Sequence, residues 1–201
     1  MSRIRFSFRT QLALRRAFAP TTFAVVVLLL ASAVGCAPAG DSAPPEAQAA
    51  EPPPAAALAT LAPTEGNRAA GTISFTETEI GVRVSALLTG VPEGVHGIHV
   101  HENGDCSAPD ASSAGGHFNP QATPHGPQVS LSAQRHAGDL GNLVAGADGS
   151  AAYEGVDLVL GFGADTLVGR AVVLHGGRDD LTSQPAGDAG PRIACGVIEA
   201  R

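Results

Sequence analysis

A chain of 201 residues has room for one ordinary domain and a targeting segment. Its 25 Gly and 15 Pro, with aromatics at only 4%, favour many turns and short strands over long helices. All twelve basic residues are Arg, and five of them precede residue 17, whereas all nineteen acids follow residue 40. Most of the chain is therefore strongly acidic, which excludes electrostatic binding of nucleic acid or of an anionic membrane face.

In chain order, residues 1–35 read as a secretory signal. An Arg-rich start is followed by a short apolar run at 23–34 (FAVVVLLLASAV) and then Gly35 and Cys36. The run is shorter than the roughly 20 residues that span a bilayer. Cys36 after a small residue is the expected lipidation site. Residues 36–54, rich in Ala and Pro with almost nothing to bury, are expected to form a solvated tether. This address predicts export to the periplasm or cell envelope as a membrane-tethered lipoprotein, with the lipid as the sole membrane contact. With Cys36 acylated, Cys106 and Cys195 are left as a disulfide pair for an oxidising compartment.

From residue 55 to 201 short apolar–polar alternations recur between Gly- and Pro-bearing turns. Strands are expected at 72–76 (TISFT), 82–88 (VRVSALL), 98–101 (IHVH), 169–175 (GRAVVLH) and 195–199 (CGVIE). The pattern predicts an all-β domain, an antiparallel sandwich or barrel. Between Cys106 and His136 the alternation fails; a loop of that length inside a small domain is usually functional or disordered, and its three histidines favour the former.

The seven histidines stand at 96, 99, 101, 117, 125, 136 and 175. His99 and His101 are two apart on an expected strand, so both face one side while Val100 faces the other. His117, His125 and His136 lie in the long loop, with Asp139 three residues beyond. Imidazoles with one carboxylate suit zinc, whereas imidazoles alone suit copper. His96 is expected to make a structural hydrogen bond near the first pair.

Four segments then carry a resemblance: residues 96–105 (HGIHVHENGD), 116–120 (GHFNP), 136–142 (HAGDLGN) and 187–198 (GDAGPRIACGVI). In this order they resemble the copper/zinc superoxide dismutase family, in its bacterial, exported lipoprotein form, over residues 55–201. The resemblance implies a Greek-key β-sandwich or barrel of immunoglobulin-like kind, with long metal-binding and electrostatic loops. It implies dismutation of superoxide to dioxygen and hydrogen peroxide by a copper redox cycle, with one copper and one zinc per subunit. Copper is implied at His99, His101, His117 and His175, and zinc at His117, His125, His136 and Asp139, with His117 bridging the two and carrying a proton. Asp179 matches the carboxylate that accepts hydrogen bonds from one histidine of each metal. Arg192 matches the anion guide, so that His117 and Arg192 are the catalytic pair. The absence of Lys and the nearby Asp179, Asp180 and Asp188 predict weak steering of an anion, with Arg178 as a partial substitute. The oligomeric state is left open, a homodimer included. A metal-binding module without turnover and a structural envelope lipoprotein are the alternatives; the complete set of ligands and Arg192 favours the enzyme.

Overall fold

The computed structural model describes residues 55–129 and 134–201. The expected signal, tether and Cys36 lie outside them. The described residues form eight strands: β1 (Ala56–Pro63), β2 (Ala70–Thr78), β3 (Gly81–Thr89), β4 (Gly94–His101), β5 (Asp139–Ala145), β6 (Ala151–Asp157), β7 (Ala171–His175) and β8 (Arg192–Ala200). They close into an antiparallel barrel in the order β1-β2-β3-β6-β5-β4-β7-β8. Consecutive strands β3 and β4 are not neighbours, nor are β6 and β7, so both connections cross in Greek-key fashion. The all-β expectation holds, and closure leaves no sheet edge unpaired.

Alternation explains the first half of the barrel. In β3, Val82, Val84, Ala86 and Leu88 point inward while Arg83, Leu87 and Thr89 are exposed. Strand β1 does the same with Ala57, Ala59 and Leu61. These inward residues join Ile73, Phe75, Ile98, Val100, Leu174 and Ile198 in one core, whose burial is the main driving force for closing the barrel. The β1 repeat uses mostly alanine, which explains why composition alone merges it with the preceding Ala/Pro segment.

Strands β4 and β7 break the alternation. From His96 to His101 every residue of β4 is buried, and so is all of β7. Their inner faces carry Ile98, Val100, Val172 and Leu174 into the core. Their outer faces are covered by loop residues 102–129, 134–138 and 176–191, and the histidines lie in that second buried layer. Strand β4 changes register against β5 between Gly97 and His99, and β7 shifts against β8 between Leu174 and His175. Such irregularities re-aim side chains beside a site.

Candidate metal centre

His99 and His101 leave β4 on the face opposite Val100. Strand β7 pairs beside them, with His99 opposite Val173 and His101 opposite Ala171, so His175 at the end of β7 arrives at the same place. His117 is brought in by a single bridge between its backbone and that of His101. Among the described residues two groups of side chains could hold a metal ion: His99, His101, His117 and His175, and His117, His125, His136 and Asp139. In each, one donor atom per residue lies within 4.8 Å of every other, and all seven residues are buried. His117 belongs to both.

Hydrogen bonds fix which nitrogen each ring presents. His99 Nε2 donates to Asp179 Oδ2 at 2.7 Å, and His101 Nδ1 donates to the Gly115 carbonyl at 2.9 Å. His175 Nδ1 donates to the Gly190 carbonyl at 3.2 Å. A carbonyl or an ionised carboxylate only accepts, so the proton sits on the bonded nitrogen and the lone pair on the other. Those other atoms are His99 Nδ1, His101 Nε2 and His175 Nε2; with His117 Nε2 they are buried and have no partner among the described residues. Four convergent lone pairs without a donor are costly unless a cation shares them. The donor set, all imidazole, fits copper.

The second group passes the same test. His125 Nε2 donates to Asp179 Oδ1 at 2.9 Å. Its Nδ1 lies 2.9 Å from Asp139 Oδ1 but lacks the direction of a hydrogen bond, and it too is buried without a partner. Two such atoms at that range need a positive charge between them, the ring's own proton in the metal-free protein or a cation in its place. Asp139 Oδ1 also faces His117 Nδ1 at 2.8 Å and His136 Nδ1 at 3.1 Å. Its Oδ2 is held by the backbone N–H groups of Gly126 and His136. Three imidazoles with one carboxylate fit zinc.

Asp179 thus links the groups from below, one oxygen to each, and Leu181 N–H adds a bond to Oδ1. Asn142 clamps the Asp179 backbone reciprocally, donating to its carbonyl and accepting from its N–H, both at 2.9 Å. Two glycines are required by close approach. At Gly97 a methyl would press on His99, Asp179 and Ala189. At Gly187, which has φ +68°, it would overlap Asp179 Oδ1 and crowd His125 Nε2. Gly187→Ala is therefore expected to weaken zinc binding about tenfold by displacing the carboxylate. A chelator competition titration measures this, and unchanged affinity would contradict it.

Burial pushes His117 down to about 4 and His175 to about 3, and it holds His101 well below the ordinary imidazole range. Burial would also lower His125, but the Asp139 carboxylate 2.9 Å away and the hydrogen bond to Asp179 outweigh it and raise the ring to about 9. Burial opposes ionisation of Asp139 and Asp179 as well, yet the histidine donors hold both below the usual carboxylate range. The metal-free protein therefore gains stability from neutral His101, His117 and His175. In unfolded chain these rings take up protons below pH 6.5, so that stability is lost as pH falls from about 6.5 toward 4. His125 acts oppositely: its contribution is present below pH 6.5 and lost as pH rises toward 9. Thermal unfolding of the metal-free protein should show Tm falling from pH 6.5 to 4; a flat or rising Tm over that range would contradict the assignment.

A cleft of about 500 Å³ opens onto His101, His117 and His175, with Arg192, Pro185 and Ala186 on its walls. Arg192 is half-buried, and its guanidinium donates to the Ala111 and Gly115 carbonyls at 2.6 Å each. Ala111 holds a left-handed backbone (φ 57°) that presents its carbonyl to this fork. Cys106 and Cys195 form the expected disulfide, with Cα atoms 5.8 Å apart. Arg178 is exposed and does not line the cleft. His96 makes the structural contacts expected of it, to the carbonyls of His175 and Pro92 at 2.9 and 2.8 Å. Sequence reasoning passed over Arg135, which is wholly buried beside the second group and paired with Asp157.

Fold and site together define a Greek-key barrel protein with two adjoining metal-binding groups, one all-imidazole and one with a carboxylate, joined by a shared histidine. The family model for copper/zinc superoxide dismutase (SODC) matches residues 69–198. The chain is 41% identical over 140 residues to superoxide dismutase [Cu-Zn] 2 of Mesembryanthemum crystallinum, covering 66% of this chain and 88% of that one. It is 40% identical over 154 residues to the extracellular superoxide dismutase [Cu-Zn] of Brugia pahangi, covering 72% and 75%. Among solved structures, the clock protein EA4 superposes with a TM-score of 0.65 at 41% identity, covering 73% of this chain and 94% of its own. The chain belongs to the copper/zinc superoxide dismutase family, and so to the oxidoreductases whose cofactors are copper and zinc.

Proposed function

We propose that this chain converts superoxide to dioxygen and hydrogen peroxide, holding copper with His99, His101, His117 and His175 and zinc with His117, His125, His136 and Asp139. The observation that carries the reading is His117: its Nε2 is one of four unpartnered nitrogens of the first group, and its Nδ1 faces Asp139 in the second. Bound there, copper supplies a one-electron couple that oxidises one superoxide and reduces the next, while zinc keeps its charge and does no redox chemistry.

The chain's own residues do the rest. Two superoxides and two protons become one dioxygen and one hydrogen peroxide. His117 Nε2, at the floor of the cleft, holds one of those protons between the half-reactions and delivers it to the peroxide; the other comes from solvent through the cleft. Arg192 offers a permanently charged planar fork to the entering anion. Its bonds to Ala111 and Gly115 keep that fork aimed, so little reorganisation accompanies each encounter. Asp179 fixes the ring planes of His99 and His125, and with them the separation of the two groups. Supply of known superoxide to the copper- and zinc-loaded protein, with dioxygen and peroxide both quantified, tests the reading. One of each per two superoxides is expected. Peroxide without dioxygen, formed only when an added one-electron donor is consumed one per superoxide, would mean a superoxide reductase instead.

Export as a bacterial envelope lipoprotein belongs to the same reading. Its support is the basic-then-apolar residues 1–35, Cys36, the tether 36–54 and the disulfide of an oxidising compartment. The extracellular location in the name of the Brugia pahangi relative agrees with export. Cys36→Ala is expected to move the protein from the membrane pellet to the soluble fraction of an expressing bacterium. Retention in the pellet would remove the lipid anchor from the account.

A further inference from the structure

Arg135 is among the largest fully buried side chains of the described residues. Its Nη2 donates to both oxygens of Asp157, at 2.9 and 2.8 Å, and both side chains are wholly shielded from solvent. Asp157 ends β6, opposite Val82 of β3, and its Oδ1 also accepts the N–H groups of Val159 and Leu160 at 2.8 Å each. The aspartate is thus anchored to the barrel by strand pairing and by the turn that follows it. From this anchor Arg135 reaches the other way. Its Nη1 donates to the carbonyls of His136, Ala137 and Asp139, at 3.0, 3.4 and 3.2 Å.

Those three carbonyls belong to the turn that carries two members of the second metal group. The turn is closed by Asp139 N–H donating to the His136 carbonyl at 3.3 Å. It also sets the bond from His136 N–H to Asp139 Oδ2, which leaves Oδ1 aimed at the three imidazoles. A hydrophobic side chain at 135 could fill the space but could not hold three carbonyls in one orientation. An ion pair this deep is also poor evidence of stabilisation, because desolvation of both charges offsets much of their attraction.

The geometry points to Arg135 as a positioning residue for the zinc site, with Asp157 as its anchor: it acts through the carbonyls of the 136–139 turn. The inference rests on the zinc assignment proposed above. The metal-free full-length protein would be titrated with zinc and with copper against chromophoric chelators, alongside thermal unfolding. Asp157→Asn is expected to raise the zinc dissociation constant about 10- to 100-fold, as loss of support around ligands does, and to leave the copper constant unchanged.

Removing one buried partner also destabilises, so the double variant Arg135→Met/Asp157→Leu separates the two effects. It removes both charges at similar volume and is expected to restore much of the lost Tm, while zinc remains weakly bound. Zinc affinity that recovers together with Tm would overturn the inference and leave the pair as packing. Zinc and copper weakening together in either variant would overturn it too. Failure of the zinc assignment itself would appear in the unaltered protein, as no zinc bound in the copper-loaded form.

Discussion

His117→Ala is expected to lower the superoxide disproportionation rate of the copper- and zinc-loaded protein by about 10²–10⁴-fold, the usual contribution of a positioned proton carrier. The effect is large because one ring has three tasks. Its Nε2 completes the four-nitrogen group, its Nδ1 faces Asp139 in the other group, and its position on the cleft floor is where the proton must be delivered. The folded domain should tolerate the change. His117 is neutral through burial, and without it the buried Asp139 carboxylate keeps His136 and the backbone N–H groups of Gly126 and His136 as partners. Rates measured by pulse radiolysis, at metal contents verified to match, would check this. A variant within a factor of a few of the unaltered rate would show that His117 is structural.

Cys195→Ser is expected to reduce the unfolding free energy by about 2–5 kcal/mol, as loss of a native disulfide does. The two sulfurs are 89 positions apart in sequence, so the bridge closes a long loop of the unfolded chain. In the folded protein it packs with Ala111, Ala114, Ala171 and Val173 in a small cluster apart from the barrel core. That cluster fixes the loop whose Ala111 and Gly115 carbonyls receive Arg192. The rate should therefore fall well below the melting range, and not only near it. Denaturant unfolding gives the first quantity and the rate at low temperature the second. A variant as stable as the parent would contradict the account, and one destabilised but fully active would detach Arg192 from the disulfide.

Pattern and composition expose five of the eight strands, those with β-branched or aromatic residues between Gly- or Pro-bearing turns: β2, β3, β4, β7 and β8. It passes over β1 because AALATLAP buries only Ala and Leu and follows an Ala/Pro run. Strands β5 and β6 hide for a different reason. DLGNLVA reads as part of a histidine motif and AAYEGVD carries Gly and Glu, and only their pairing in the closed barrel gives them a buried face. Part of the histidine constellation is legible because its pattern is local, an i, i+2 pair at His99 and His101 and a His-x-x-Asp turn at His136 and Asp139; the place of His117, His125 and His175 beside them is implied only by the family resemblance. Arg135 and Asp157 are not legible, since an Arg beside a His and an Asp at a strand end look like solvent-exposed residues until the barrel brings them together. The reciprocal bonds of Asn142 with Asp179 are hidden in the same way: they join residues 37 positions apart.

The central claim is that these two adjoining groups, joined by His117, turn over superoxide. The most direct test is the second-order rate of superoxide loss with the fully copper- and zinc-loaded protein, set against the protein loaded with zinc alone. The account predicts a rate constant near the diffusional range, about 10⁸–10⁹ M⁻¹s⁻¹, present only with copper. A loaded protein no faster than its zinc-only form would contradict it and leave a metal-binding barrel without turnover.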